Sequence, residues 1–234
     1  MSGIKNVVLV HGAWADGSSW SKVLPLLEAS GLRAVAVQNP LSSIAADVTS
    51  TNRLINAQDG PVLLVGHSYG GAVITEAGNN PKVVGLVYVA AFAPEEGETL
   101  GGMAARYPTP PAYSEFRQID DGYLMLTEKG VRDSFAQDLT FGEQSRVFAV
   151  QGATQSTILG TPILKAAWHS KPSWFVIASN DRTIAPEQEI STAKRMGAKT
   201  LTVPSSHLAM LAQPEKVAAF IIEAAASLNV SAAA

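Results

Sequence analysis

The 234-residue chain predicts an α/β fold: a mainly parallel sheet of about six strands, helices on both faces, and a long insertion between two strands. Three observations carry this. Short β-branched runs alternate with helix-like segments, the pattern of a parallel sheet with crossover helices. The run Val83–Ala90 (V-V-G-L-V-Y-V-A) is almost continuously apolar, as in a strand covered on both faces. The alternation then lapses from Phe92 to about Lys171 and resumes at Ser173. The expected division is a core of 1–91 and 172–234 with a cap, or lid, of 92–171.

Taken in order, Ile4–Val10 reads as the first strand and ends in the loop His11-Gly12-Ala13-Trp14. A helix is expected over Ser18–Ser30, where Trp20, Val23, Leu24 and Leu27 share one face; Pro25 should kink it or mark a late start. Gly31 is a C-terminal stop, and Arg33–Val37 is the second strand. Ser43 caps a helix whose face holds Ile44, Val48, Leu54 and Ile55. A third strand begins at Pro61, and its helix runs to about Gly78.

In the insertion, Phe116–Ile119 and Tyr123–Leu126 flank Asp120-Asp121-Gly122, a hairpin signal. Helical pieces are expected at Lys129–Leu139, Glu143–Gly152 and Pro162–Trp168. Ser173–Ser179 is the fifth sheet strand, a helix runs from Pro186 to Gly197, and Thr200–Val203 is the last strand. Pro214 opens a final amphipathic helix with Val217, Phe220, Ile221 and Ala224 inward.

Composition excludes several classes of function. Hydrophobic residues make up 47% of the chain and charged residues 16%, with a net charge of -3 and no basic stripe. Nucleic acid and acidic membrane surfaces are therefore not expected partners. With no cysteine, there is no disulfide, zinc-thiolate site or cysteine nucleophile. No apolar run reaches membrane-spanning length, and Ile4–Val10 is too short for a signal-peptide core and lacks a cleavage site. The expectation is a cytoplasmic protein, monomer or homodimer, with no metal and no cofactor.

Chemistry points to Gly66-His67-Ser68-Tyr69-Gly70, a G-x-S-x-G at a strand-to-helix turn. So tight a turn strains the serine backbone, and glycines at minus two and plus two avoid clashes. The serine Oγ stands above the sheet, and the Tyr69 amide opens a helix toward the place where an oxyanion would form. A serine needs a base. Of the four histidines, His67 diverges under the turn, His11 shapes the first loop and His169 sits at a strand's amino end. His207, in the loop after the last strand, lies at the same sheet edge as Ser68. The orienting acid should precede it in the chain, and Asp181 follows the fifth strand; Glu95 and Glu96 are the fallback. The second oxyanion donor is Ala13 N–H, with Gly12 letting the backbone turn toward Ser68.

V-L-V-H-G-A-W, V-G-H-S-Y-G-G, the Asp181 loop and S-S-H-L-A-M-L together resemble the α/β-hydrolase superfamily. Within it the chain is most similar to the small esterases grouped with plant methylesterases, salicylate-binding esterases and hydroxynitrile lyases. The resemblance spans nearly the whole chain except the insertion. It implies Ser68 as nucleophile, His207 as base, Asp181 as acid, and the Ala13 and Tyr69 amides as oxyanion hole. The group's lyases carry a threonine after the first-strand histidine and a lysine after the catalytic one. Here those positions hold Gly12 and Leu208, which favours hydrolysis.

The expected activity is therefore a cofactor-independent serine hydrolase, cleaving small to medium, mainly apolar carboxylic esters or lactones through an acyl-enzyme. The rivals are a hydroxynitrile lyase, a cofactor-free oxygenase and a non-catalytic ligand receptor. Candidate pocket residues are Trp14, Phe92, Met103 and Tyr107, together with Phe116, Met125, Trp168 and Met210. A charged substrate would call for Arg106 or Arg117.

Overall fold

The computed structural model describes residues 4–228, so the outermost residues of the expected core, 1–3 and 229–234, lie outside the described residues. The main sheet is built from β1 (Asn6–Val10), β2 (Arg33–Ala36), β3 (Val62–His67), β4 (Val83–Val89), β8 (Ser173–Ala178) and β9 (Lys199–Val203). Strands β5 (Phe116–Gln118), β6 (Tyr123–Leu126) and β7 (Thr154–Gln155) lie in the insertion. The six main strands are all parallel, in the order β2-β1-β3-β4-β8-β9. Successive side chains of a strand point to opposite faces, and every residue of β1 and of β3 is buried. Both faces of the sheet centre are therefore covered. The carboxyl ends of β1, β3, β8 and β9 open onto one edge, where the expected functional residues sit.

Local sequence explains the helices. Pro25 is at the second position of α1 (Leu24–Ala29), so the expected Ser18–Ser30 helix starts late, behind a separate 3-10 turn at Gly17–Trp20 capped by Asp16. Proline needs no helical N–H in a first turn and would break a later one. Ser43 caps α2 (Ile44–Ala57) by accepting from Ala46 N–H. Helix α3 (Tyr69–Ala77) begins directly after Ser68 and packs on α2. Further along come α4 (Leu100–Ala104), α5 (Glu128–Gly130) and α6 (Phe141–Ala149). Then follow α7 (Pro186–Met196), α8 (Ala209–Ala212) and α9 (Pro214–Ser227). Gly197 ends α7 in the left-handed conformation, at φ 61°.

Between β4 and β8 the chain forms a small antiparallel sheet, β5-β6-β7, with short helices around it. The hairpin turn is where the Asp-Asp-Gly stretch predicts it: Asp121 and Gly122 have φ of 48° and 79°. Two expectations fail here. Pro162–Trp168 is not a helix; only a 3-10 turn, Ala167–His169, forms at its end. Lys129–Leu139 is interrupted, with α5 running into a π-helical turn at Val131–Phe135. Strand β7 escapes local reading because two residues become a strand only by pairing with β6.

Close backbone approach controls the region around Ser68. A Cβ on Gly70 would lie 2.6 Å from the carbonyl oxygens of both Val10 and His11, and one on Gly66 would lie 2.5 Å from the Gly70 oxygen. These neighbours are backbone atoms that cannot swing away. Gly70→Ala is expected to lower stability by roughly 2 kcal/mol through overpacking. Urea unfolding checks it, with Gly142→Ala, which meets nothing within 4 Å, as the control.

Candidate active site

Ser68 has φ 54° and ψ -124°, a sparsely populated conformation for a residue with a side chain. Hydrogen bonds hold it there. Its N–H donates to Val89 O at 3.2 Å, and its carbonyl accepts from Gly71 N–H at 2.9 Å and Phe92 N–H at 3.2 Å. The Tyr69 amide is the first of α3, a position with no intrahelical acceptor. The Tyr69 phenol donates to Asp47 Oδ2 at 2.5 Å, while Asp47 Oδ1 accepts from Leu41 N–H at 2.9 Å. Burial raises the Asp47 carboxyl above its ordinary range, although the Tyr69 hydroxyl and the Leu41 amide oppose this. Helix α2 thus anchors the residue that follows Ser68.

Gly12 acts differently from the turn expected of it. Its φ is not positive; that conformation falls on Trp14, at 53°. What Gly12 supplies is proximity, because a Cβ there would lie 2.7 Å from the Ser68 Cβ.

Asp181 and His207 meet at the same edge, from the loops after β8 and β9. Asp181 Oδ2 is 2.6 Å from His207 Nδ1, and both side chains are fully buried. Asp181 Oδ1 accepts from the Thr183 and Ile184 amides at 2.7 and 3.0 Å, which fixes the carboxylate plane. His67 supports the pair from beneath. Its Nε2–H donates to the His207 carbonyl at 3.0 Å, and the two rings lie 4.6 Å apart. Burial first, and His207 second, hold the His67 pKa well below its ordinary value, so this imidazole is neutral. His207 Nε2 is buried and has no hydrogen-bond partner among the described residues. The Ser205 and Ser206 hydroxyls just before it are buried and have no partner among the described residues.

The other histidines sit apart. His11 donates from Nδ1 to Gly12 O at 2.8 Å and accepts the Asn39 amide at Nε2, 3.0 Å away. His169 pairs with Glu95 at 2.7 Å on the surface, and Glu96 is exposed.

A small cavity of about 30 Å³ opens above Ser68. Ala13, Trp14, Ser68, Tyr69, Phe92 and Phe116 line it, along with Leu100, Tyr113, Leu159 and Thr183, and none of these is charged. Trp14 and Tyr113 pack on Phe116 with ring centroids 4.5 and 5.0 Å away.

The remaining pocket candidates are placed elsewhere. Met103 and Tyr107 border a separate cleft with Arg106 and Arg195. Trp168 donates to Pro94 O, Met210 is wholly buried in the core, and Met125 sits half-buried in β6. They miss the cavity because side-chain type does not reveal which way a loop or strand faces. Arg106 pairs with Glu98 at 2.7 Å, and Arg117 is exposed on β5. Sequence reading missed Leu100, Tyr113, Leu159 and Thr183. Thr183 alone had a local signal, its place two residues after Asp181.

A larger cavity, about 210 Å³, also borders Trp14 and is bounded by Phe135, Val147, Leu208 and Leu211 with the polar residues Lys22, Glu143 and Arg146. Trp14 lines both cavities. Its N–H donates to Thr154 Oγ1 at 3.1 Å and its indole Nε1–H to Leu124 O at 3.1 Å.

Residues 7–220 match the alpha/beta hydrolase family. The chain belongs to that family. Among its relatives, a carbendazim hydrolyzing esterase of Nocardioides sp. (strain SG-4G) is 33% identical over 125 residues, 47% of this chain; the match spans about half, 52%, of that protein's length. Salicylic acid-binding protein 2 of Nicotiana tabacum is 24% identical over 258 residues, covering 96% of this chain and 98% of the relative. A crystal structure of a pyrethroid hydrolase from Sphingobium faniae JZ-2 superposes with a TM-score of 0.81 at 23% identity, covering 96% and 98% of the two chains. Among the described residues, this alpha/beta hydrolase has no group of three or more His, Asp or Glu placed to hold a metal, and no helix long and apolar enough to cross a membrane.

Trp14→Ala is expected to join the two cavities. The ratio of kcat/KM for long-chain over acetyl p-nitrophenyl esters should rise at least about tenfold, while stability falls by about 3 kcal/mol from the lost indole. Ester-panel kinetics and thermal unfolding on the same preparation check both.

Proposed function

We propose that the protein is a carboxylic ester hydrolase that uses Ser68, His207 and Asp181 as its triad. The observation that carries this is the buried His207–Asp181 pair, whose outer nitrogen, Nε2, has no partner and whose ring packs beside the turn carrying Ser68. Ser68 Oγ attacks the ester carbonyl as His207 Nε2 takes its proton. Asp181 keeps the imidazole proton on Nδ1 and stabilises the imidazolium that forms. The Ala13 and Tyr69 amides receive the oxyanion, each donor contributing about 3–4 kcal/mol to transition-state stabilisation. The imidazolium then protonates the leaving alcohol, and water activated by His207 releases the acid from the acyl-enzyme.

The uncharged lining supports a small to medium apolar substrate, and the narrow space above Ser68 favours a compact group at the reacting carbon. The absence of a charged residue from that lining, with buried Leu208 after His207, argues against a lyase that stabilises departing cyanide. Esterase and hydrolase names among the relatives agree with the reading. The insertion supplies Phe92, Leu100, Tyr113, Phe116 and Leu159 to the cavity, so we assign residues 92–171 the role of a cap that selects substrate.

The test is hydrolysis of p-nitrophenyl acetate, butyrate and octanoate with covalent labelling by a fluorophosphonate. Ser68→Ala is expected to lower kcat/KM by at least about 10³ and to abolish the mass adduct. Asp181→Asn should lower kcat by about 10⁴, whereas Glu96→Gln should leave it unchanged. Wild-type protein that neither turns over nor labels would overturn the assignment.

A further inference from the structure

Glu189, the fourth residue of α7, is fully buried behind Asp181. Its position has a backbone cause. Strand β4 pairs with β8 only as far as Val89 opposite Val176, and Ala90 N–H still reaches Val176 O. Beyond that point β4 leaves the sheet, and Ala178, paired with Val203 of β9 on one side, has no strand on its β4 side. Glu189 Oε2 accepts the Ala178 N–H at 2.9 Å, replacing the missing ladder carbonyl. The other oxygen, Oε1, is buried and accepts from no donor among the described residues. Ala178 ties Glu189 to Asp181: its N–H is held by Glu189, and its carbonyl accepts the Asp181 N–H at 3.2 Å. Two buried carboxylates side by side repel, and a shared proton turns that repulsion into attraction.

Asp181 has room for one more donor. Its Oδ1 already takes two amides, and its Oδ2 takes the His207 ring. We propose that Glu189 is a positioning residue, a neutral carboxylic acid whose Oε1–H donates to Asp181 and holds that carboxylate in line with His207. The proposal rests on Asp181 and His207 acting as proposed above, but the state of Glu189 can be judged without turnover. Burial, with the Asp181 charge second, raises the Glu189 pKa well above its ordinary value, consistent with this state. The titratable groups facing it are Asp181 and, through Asp181, His207. In this arrangement the buried acid adds a donor without adding a second negative charge beside the imidazole. An ionised Glu189 would repel Asp181 and distort the pair it supports.

Stability against pH separates the states. If Glu189 keeps its proton when folded, the unfolded chain releases it above about pH 4.3 while the native chain does not. Folding of the wild type then weakens as pH rises through that window, by about tenfold in the unfolding equilibrium constant per pH unit. Glu189→Gln, which keeps an N–H donor and cannot ionise, lacks this slope. Chemical unfolding of wild type and Glu189→Gln between pH 5 and 7 is expected to show the Gln variant gaining on the wild type by about tenfold per unit. A pH-independent difference would overturn the protonated state.

Positioning has its own readouts. The downfield proton resonance of the His207–Asp181 hydrogen bond should persist in Glu189→Gln and shift or vanish in Glu189→Leu. If esters are turned over, Glu189→Gln should keep kcat within about threefold, and folded Glu189→Leu should lose at least about tenfold in kcat with KM nearly unchanged. A Leu variant with wild-type resonance and kcat, or a Gln variant as impaired as Leu, would overturn the positioning role. A protein that hydrolyses nothing yet shows the pH slope and the resonance change would leave the Glu189 assignment standing and remove only the esterase reading.

Discussion

The structure turns on the passage of the loop after β1 against the turn at Ser68. Three pieces of backbone converge there: the end of β1, the Gly12 loop and the first residues of α3. Gly70 lies against the Val10 and His11 carbonyls, Gly71 against Phe92 O, and Gly12 against Ser68 itself. No side chain fits between them. Beside this contact the positive φ of Ser68 is held by hydrogen bonds, its N–H and carbonyl being committed to β4, to Gly71 and to the start of the insertion. The conformation costs on the order of 1–3 kcal/mol. The sheet that offsets this cost is buried on both faces, each fully buried Leu or Val contributing about 1.5–3 kcal/mol.

Polar groups around this contact are arranged in layers. Ser68, Ala13 and Tyr69 line the cavity, His207 and Asp181 lie behind, and His67, Asp47 and Glu189 form a third rank around them. Each member of that rank serves the backbone. His67 binds the His207 carbonyl, Asp47 holds the Leu41 amide, and Glu189 holds the Ala178 amide. Buried polar groups are costly when unpaired, so these backbone bonds tie the geometry of the site to the folding of the sheet.

What could be read from the sequence follows this layering. Strand-helix alternation, the glycines around Ser68 and the chain order Ser68, Asp181, His207 are local or topological signals, and the structure places these residues at one sheet edge. The Pro25 break, the Gly197 cap and the hairpin at Asp120-Asp121-Gly122 are equally local. Leu100, Tyr113 and Leu159 carry no such signal; they reach the cavity only because the insertion folds back over it. Met103, Met125 and Met210 have the same apolar character and face other ways. Glu189 looks like an ordinary helix-surface charge, since its burial follows from β4 leaving the sheet about a hundred residues earlier in the chain.

Trp14 has a wider implication. Its backbone belongs to the loop after β1, yet both of its anchoring hydrogen bonds end on the insertion, at Thr154 and Leu124. The indole is therefore a partition hinged on one body and latched to another. The wall between the two cavities thus depends on contacts with β6 and β7, strands distant in sequence from Ser68.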